Sequence, residues 1–155
     1  MSELIYDVQN KTYLTGRSRD DGKNDAEVAN MKANDDEENA NQIVRTIGNS
    51  FSYLKTKLSE YIDNDKSTTA SNIISNSTAN LVVTLDMPSN YNTANNDAVA
   101  LAMHKYIVNT SLMEWFNITN KNDAKEYSEL AVMSLNELVE AINKRTRPTR
   151  AEVTQ

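Results

Sequence analysis

The stretch that decides the fold runs from residue 96 to residue 116 and reads NDAVALAMHKYIVNTSLMEWF. Asn95 or Asn96 can cap a helix here, and we expect that helix to continue to about Phe116. Its apolar side chains occur around most of the helical circumference rather than along one stripe. Helices of this kind are buried on several sides. The sequence therefore predicts a central helix, covered by its own domain or by another subunit.

A helix is also predicted upstream, from residue 37 to about residue 62. The acidic residues 35–38 lie where the positive end of a helix dipole would be. Apolar residues then recur every three or four positions, which is the period of a single buried stripe. This stripe consists of Ile43, Ile47, Phe51, Leu54, Leu58 and Tyr61.

A third helix is predicted downstream, with Thr119 or Asn122 as its cap. Pro148 ends the helical pattern because proline cannot continue a helix. Its buried stripe is expected to consist of Tyr127, Ala131, Leu135, Leu138 and Ile142.

The region between the first two predicted helices alternates in polarity. Leu81, Val83 and Leu85 are separated by single residues, which is the period of a strand. The pair Ile73-Ile74 can supply a partner strand, and residues 76–80 can form the turn. We therefore expect a β-hairpin over about residues 70–87. The predicted fold is mainly α: a three-helix antiparallel core with a small β-hairpin inserted between helices 1 and 2, plus extended N- and C-terminal arms.

Residues 1–36 are predicted to form an extended N-terminal arm, because their composition is too polar to build a core alone. Two apolar clusters interrupt the arm and are candidate partner-binding anchors: Ile5 with Tyr6, and Tyr13 with Leu14. The alternative is a plain disordered terminus. In this interpretation residues 37–145 form the helical domain, and residues 146–155 form a basic C-terminal tail.

Charge is unevenly distributed along the chain. The net charge is -6, yet the last twelve residues carry +3, from Lys144, Arg145, Arg147 and Arg150 against Glu152. An acidic body argues against broad nucleic-acid binding, which needs a basic face. Arg145, Arg147 and Arg150 are therefore candidate residues for docking on an acidic partner, a copy of the same chain included. The simpler alternative is a solvated terminus.

Catalytic, cofactor and metal sites are not expected. The chain has no cysteine, so thiolate metal sites and cysteine nucleophiles are excluded. His104 is the only histidine, and a lone histidine is a poor metal ligand or catalytic base. The three glycines are too scattered to form a phosphate-binding loop. No apolar run approaches the ~18 residues of a membrane span, and no export signal is expected at the start.

Six short segments occur in order over roughly residues 81–150: LDMPSNY at 85–91, YIVN at 106–109, EWF at 114–116, TNK at 119–121, DAKEY at 123–127 and RTRPTR at 145–150. Through these segments the second half of the chain resembles small virion proteins of phages and prophages of gut Bacteroidetes, including crAss-like phages. The order of helix, insertion, buried helix and helix is also similar to that of phage head-to-tail adaptor proteins.

The resemblance implies a structural virion protein that forms a ring, commonly of twelve subunits, in the connector between portal and tail. The implied partners are other copies of the chain, the portal protein and neighbouring tail or collar proteins. DNA would pass through the channel without sequence-specific binding, and no membrane is involved. The protein would be made in the host cytoplasm and end in the virion. The alternative is a small helical regulatory or host-takeover protein that binds a host partner.

Overall fold

The computed structural model describes residues 1–20, 22–23, 25–33, 37–75 and 80–148. Within these residues the chain is mainly helical, as predicted, and forms six α-helices and one short 3-10 turn at Thr93–Asn95. The helices are α1 (Ser2–Ser18), α2 (Asp25–Met31), α3 (Glu37–Lys57), α4 (Ala70–Ser75), α5 (Asn96–Thr119) and α6 (Lys121–Ile142).

α5 and α6 form an antiparallel pair at the centre of the molecule. The backbone N–H of Asn92 donates to the carbonyl of Lys144 at 3.2 Å, so the start of α5 lies beside the end of α6. Only Asn120 separates the two helices, and its side chain accepts hydrogen bonds from the N–H groups of Asn122 and Asp123. Asn120 therefore caps α6, in place of the predicted Thr119 or Asn122.

The predicted first helix is present as α3, and it packs along α5. Ser50 and Ser111 share a buried hydrogen bond of 3.0 Å between their hydroxyl groups. Asn49 donates to Glu114 at 3.3 Å, which makes α3 antiparallel to α5. The helix ends at Lys57 rather than near residue 62, because the chain turns immediately afterwards. The predicted stripe from Ile43 to Leu58 is buried.

The predicted β-hairpin is wrong. No strand occurs in the described part of the chain, and Ile73 lies in the short helix α4 with its side chain fully buried. Residues 81–87 are extended, as their alternation suggests, but they pair with the loop 61–68 through an isolated bridge between Ile62 and Leu85. Period-two alternation predicts extended backbone and does not identify its partner. Part of the proposed turn, residues 76–79, lies outside the described residues.

The predicted extended N-terminal arm is also wrong. Residues 2–18 form α1, and its buried face belongs to the common core. This face consists of Leu4, Val8, Thr12 and Gly16, one residue per helical turn. Half of the stripe is small or polar, so composition alone does not reveal it. The core therefore includes α1 and α4 as well as the three predicted helices.

Candidate interaction surfaces

α1 is attached to the core by polar contacts along its length. Near its start, Asp7 and the imidazole Nε2 of His104 are 2.7 Å apart. In its middle, the hydroxyl of Thr12 accepts from the N–H of Ala33 at 3.1 Å. Further along, Thr15 shares a 2.8 Å hydrogen bond with the hydroxyl of Tyr127 on α6. These contacts place α1 across both α5 and α6, so the first residues belong to the protomer.

The end of α1 is fixed by an ion pair with the first turn of α6. Arg19 Nη2 donates to Asp123 Oδ1 at 2.6 Å, and Arg19 also lies 3.5 Å from Glu126. The Asp123 side chain is 1% exposed, whereas that of Arg19 is 47% exposed. The hydrogen bond from Arg19 to the Asp123 carboxylate raises the pKa of the guanidinium. A carboxylate in the first turn also interacts favourably with the helix dipole.

The predicted N-terminal anchors are only partly available to a partner. Ile5 is half-buried and packs against the core of its own chain. Tyr6, Tyr13 and Leu14 are between 47% and 66% exposed, and the ammonium group of Lys32 lies 5.4 Å from the centre of the Tyr13 ring. The helical geometry of α1 separates Leu14 from the two tyrosines. The anchors therefore do not form one continuous patch.

The predicted basic docking residues fall into three different situations. Arg145 Nη1 donates to the carbonyl of Ile142 at 2.7 Å, so it satisfies a free carbonyl at the end of α6. Arg147 is exposed. Arg150 lies outside the described residues. Of the two predicted docking arginines that the structure describes, Arg147 is therefore the better placed to contact a partner.

Sequence reasoning missed exposed apolar residues on α6. Leu130, Val132, Met133 and Val139 are between 43% and 59% exposed. Residues 132 and 139 are seven positions apart and so project to nearly the same side of the helix. Residues 130 and 133 lie about 140° away from them around the helix axis. The sequence shows that these residues flank the predicted stripe, but it does not show whether a neighbouring helix covers them.

The outer surface of α6 thus carries two separate apolar patches. We call Val132 with Val139 the valine patch, and Leu130 with Met133 the Leu–Met patch. The buried stripe of α6, with Leu138 at its centre, lies between them. A partner that covers one patch therefore leaves the other free for a second partner.

One recess contains the single histidine of the chain. A recess of about 400 Å³ holds Asp7 and His104 together with Ser2 and Tyr6. Among the residues that the structure describes, no hydroxyl is hydrogen-bonded to His104, so a Ser-His-Asp relay is not assembled there. The described ranges also contain no group of three or more acidic or histidine side chains that could hold a metal ion. None of their helices has the length and apolar character needed to cross a membrane.

Comparisons of the chain with protein-family models, with curated proteins and with solved structures found no match.

Proposed function

We propose that this protein is a ring-forming structural subunit of a phage head-to-tail connector, located between portal and tail. The observation that best supports the proposal is the pair of apolar patches on α6. A closed ring needs a heterologous contact, in which one surface of each subunit meets a different surface of the next. Two separate patches on one helix can provide the two sides of such a contact.

The exposure of these patches favours association over solvation. Val132, Met133 and Val139 are each about half exposed or more on an otherwise well-packed helix. Burial of apolar surface is worth roughly 25 cal/mol per Å², so covering these side chains favours contact between chains. Single exposed apolar residues need no explanation, but clusters of them mark interaction sites.

Charge is consistent with a channel for DNA. Residues 1–143 carry a net charge of -9, whereas residues 144–155 carry +3, which together give the total of -6. Basic walls would hold phosphate groups strongly, whereas an acidic wall lets DNA pass. The exposed Arg147 and the sequence-predicted Arg150 would then contact an acidic neighbour, such as the portal or the adjoining ring.

Measuring the mass of the purified chain in solution tests this proposal. We expect size-exclusion chromatography with light scattering to give a mass many times that of the 17.4 kDa chain. The double variant Val132→Lys/Val139→Lys should shift the protein to monomer, because two charges would have to be desolvated in the contact. Its circular dichroism should be unchanged, since both side chains are exposed.

The matched control is Ser52→Lys/Ser59→Lys, which adds the same two charges at exposed positions away from α6. We expect this control to assemble like the parent chain. A parent chain that remains monomeric at millimolar concentration would contradict a self-assembling ring, and it would favour a monomeric regulatory protein. If both variants lost assembly equally, the added charge itself, rather than the valine patch, would be the cause.

A further inference from the structure

The two sides of α6 that carry the apolar patches differ in charge. At about 100° of rotation per residue, Lys121 and Lys125 lie on the same side of the helix as the valine patch, and both are exposed. Glu126 and Glu137 lie on the side of the Leu–Met patch, and their side chains are 67% and 54% exposed. One side of α6 is therefore apolar and basic, and the other is apolar and acidic.

The acidic side keeps its charge mainly near the start of the helix. Lys105 of α5 lies 3.1 Å from Glu137, so this ion pair cancels the charge near the end of the side. Arg19 lies 3.5 Å from Glu126, but it is bonded more closely, at 2.6 Å, to Asp123. Glu126 is therefore the carboxylate on this side that is best placed to meet a cation of a partner.

The charged and apolar positions of the two sides lie at matching heights along the helix. The rise of about 1.5 Å per residue puts Lys125 level with Glu126, and Val132 level with Met133. In a closed ring, the rotation that relates neighbouring copies keeps every residue at the same height along the ring axis. A copy whose α6 stands parallel to this axis therefore presents Lys125 to Glu126, and Val132 to Met133, of the next copy.

The far end of the helix is compatible with the same alignment. Val139 lies near the height of two ion pairs on the other side of α6, Glu137–Lys105 and Glu140–Lys144. The charges in these pairs already have partners, and the aliphatic stems of such side chains can cover an apolar neighbour. Apolar burial then stabilises the contact, whereas the complementary charges near the start of α6 fix its register.

We propose that the valine patch of each copy packs on the Leu–Met patch of the next copy, with α6 parallel to the ring axis and Lys125 paired with Glu126 across the contact. This inference rests on the proposed ring, and it adds the partner of each patch and the register between them. The occupant of each patch is a second copy of the chain, because one helix carries both members of each complementary pair.

Cysteine cross-linking tests this register directly, because the chain contains no cysteine of its own. A disulfide needs Cβ atoms within about 4.5 Å. In Val132→Cys/Met133→Cys each copy offers one cysteine to each of its two neighbours, so oxidation should link the copies into a ladder of multimers. Each single variant should form at least about tenfold less cross-linked product, since its one cysteine meets none across a head-to-tail contact.

The matched control is Leu130→Cys/Val139→Cys, which also places one cysteine on each patch. Its two positions are separated by about 13 Å along the helix axis, so they do not meet in the proposed register. Equal yields of the ladder from the control and the test variant would overturn the register. Dimers as the main product of either single variant would overturn the head-to-tail contact, because identical positions would then have to meet.

Charge reversal in the chain without cysteines provides an independent measurement. Lys125→Glu and Glu126→Lys should each raise the concentration needed for half-maximal assembly at least about tenfold, because each puts like charges across every contact. An equimolar mixture of the two variants should recover assembly. Copies that alternate around the ring then face each other with opposite charges at every contact.

The parent chain, measured beside these variants, separates the register from the ring. A parent that stays monomeric would overturn both this register and the proposed ring. A parent that assembles, together with a mixture that assembles no better than either variant alone, would overturn the register and leave the ring standing. Circular dichroism of each variant shows whether it is folded, and recovery in the mixture excludes misfolding as the cause of lost assembly.

Discussion

α5 and α1 are both long helices, of 24 and 17 residues, but they are held in the molecule in different ways. α5 buries apolar residues along nearly its whole length, including Val99, Ile107, Leu112 and Phe116. α1 buries a narrow stripe in which two of the four residues are Thr12 and Gly16. Apolar burial therefore fixes α5, whereas α1 depends more on side-chain hydrogen bonds and ion pairs.

This difference predicts how stability is distributed among the helices. In segments with few buried apolar contacts, the free energy of local opening is lower than the free energy of global unfolding. The contacts that attach α1, between Asp7 and His104 and between Arg19 and Asp123, each involve a side chain that is more than one-third exposed. We therefore expect α1 to detach before α5 and α6 separate. Substitutions at Phe116, Val8 and Arg19 test this contrast, and a substitution at Glu114 tests the effect of a half-buried charge on α5; they follow in order of decreasing effect.

The largest effect is expected at Phe116, which is fully buried and stacks on Tyr127 with ring centres 5.4 Å apart. Phe116→Ala should lower the free energy of unfolding by about 3–5 kcal/mol, because it leaves a cavity in the core. Val8→Ala, at an equally buried position of α1, should cost only about 1–2 kcal/mol. Urea denaturation measures both. Similar costs would mean that α1 and α5 contribute equally to the core.

An intermediate effect is expected at Arg19. Arg19→Gln removes the cation that lies 2.6 Å from the buried Asp123, and water reaches the site through the exposed half of the guanidinium. We expect a loss of about 1 kcal/mol, reduced by solvent screening. In hydrogen exchange, α1 amides should lose about tenfold protection while α5 amides keep theirs.

The control for Arg19 is Arg17→Gln, which removes the same charge at an exposed position of the same helix. This variant should exchange like the parent chain. If Arg19→Gln accelerated exchange equally in α1 and α5, the two helices would open together and the contrast between them would disappear.

The smallest effect is expected at Glu114, a half-buried residue of α5. Burial raises the pKa of its carboxyl group, although the hydrogen bond from Asn49 opposes that effect. The folded chain therefore holds this proton more tightly than the unfolded chain, so stability falls as pH rises through the raised pKa. Glu114→Gln removes the charge and should raise the melting temperature at pH 7 by at most about 2 °C.

The pH dependence of this gain provides its check. At a pH below both the folded and unfolded pKa values, the carboxyl group is protonated in both states, and the difference between parent and variant should vanish. Calorimetry at pH 7 and at acidic pH measures this difference in melting temperature. A gain that stayed constant with pH would have to come from packing rather than from the charge of Glu114.

Much of the helical core was predictable from the sequence, but the exact ends of the helices and the packing partners of each segment were not. The stripe of α3 and the all-round apolar character of α5 are properties of sequence periodicity, and both led to the correct element. The cap of α6 was misplaced by one or two residues because three neighbouring positions, Thr119, Asn120 and Asn122, can all cap a helix. Sequence alone does not rank such neighbours.

The candidate surfaces were predicted less well. Tyr6, Tyr13 and Leu14 are exposed, but Ile5 packs inside and Arg145 serves its own helix end. The valine patch on α6 was missed because a residue's exposure depends on which neighbouring helix covers that side. The periodicity of α6 shows that residues 132 and 139 share a side but not whether anything covers it.

The sequence by itself determined where the long helices α3, α5 and α6 lie, because a helical period of apolar residues extends over many turns and has no other stable solution. Only the tertiary structure decided that Thr12 and Gly16 are buried, that Ile73 lies in a helix, and that Asp123 meets Arg19 across 104 residues. Short segments with mixed polarity take their conformation from the contacts available to them, and those contacts come from residues far away in the chain.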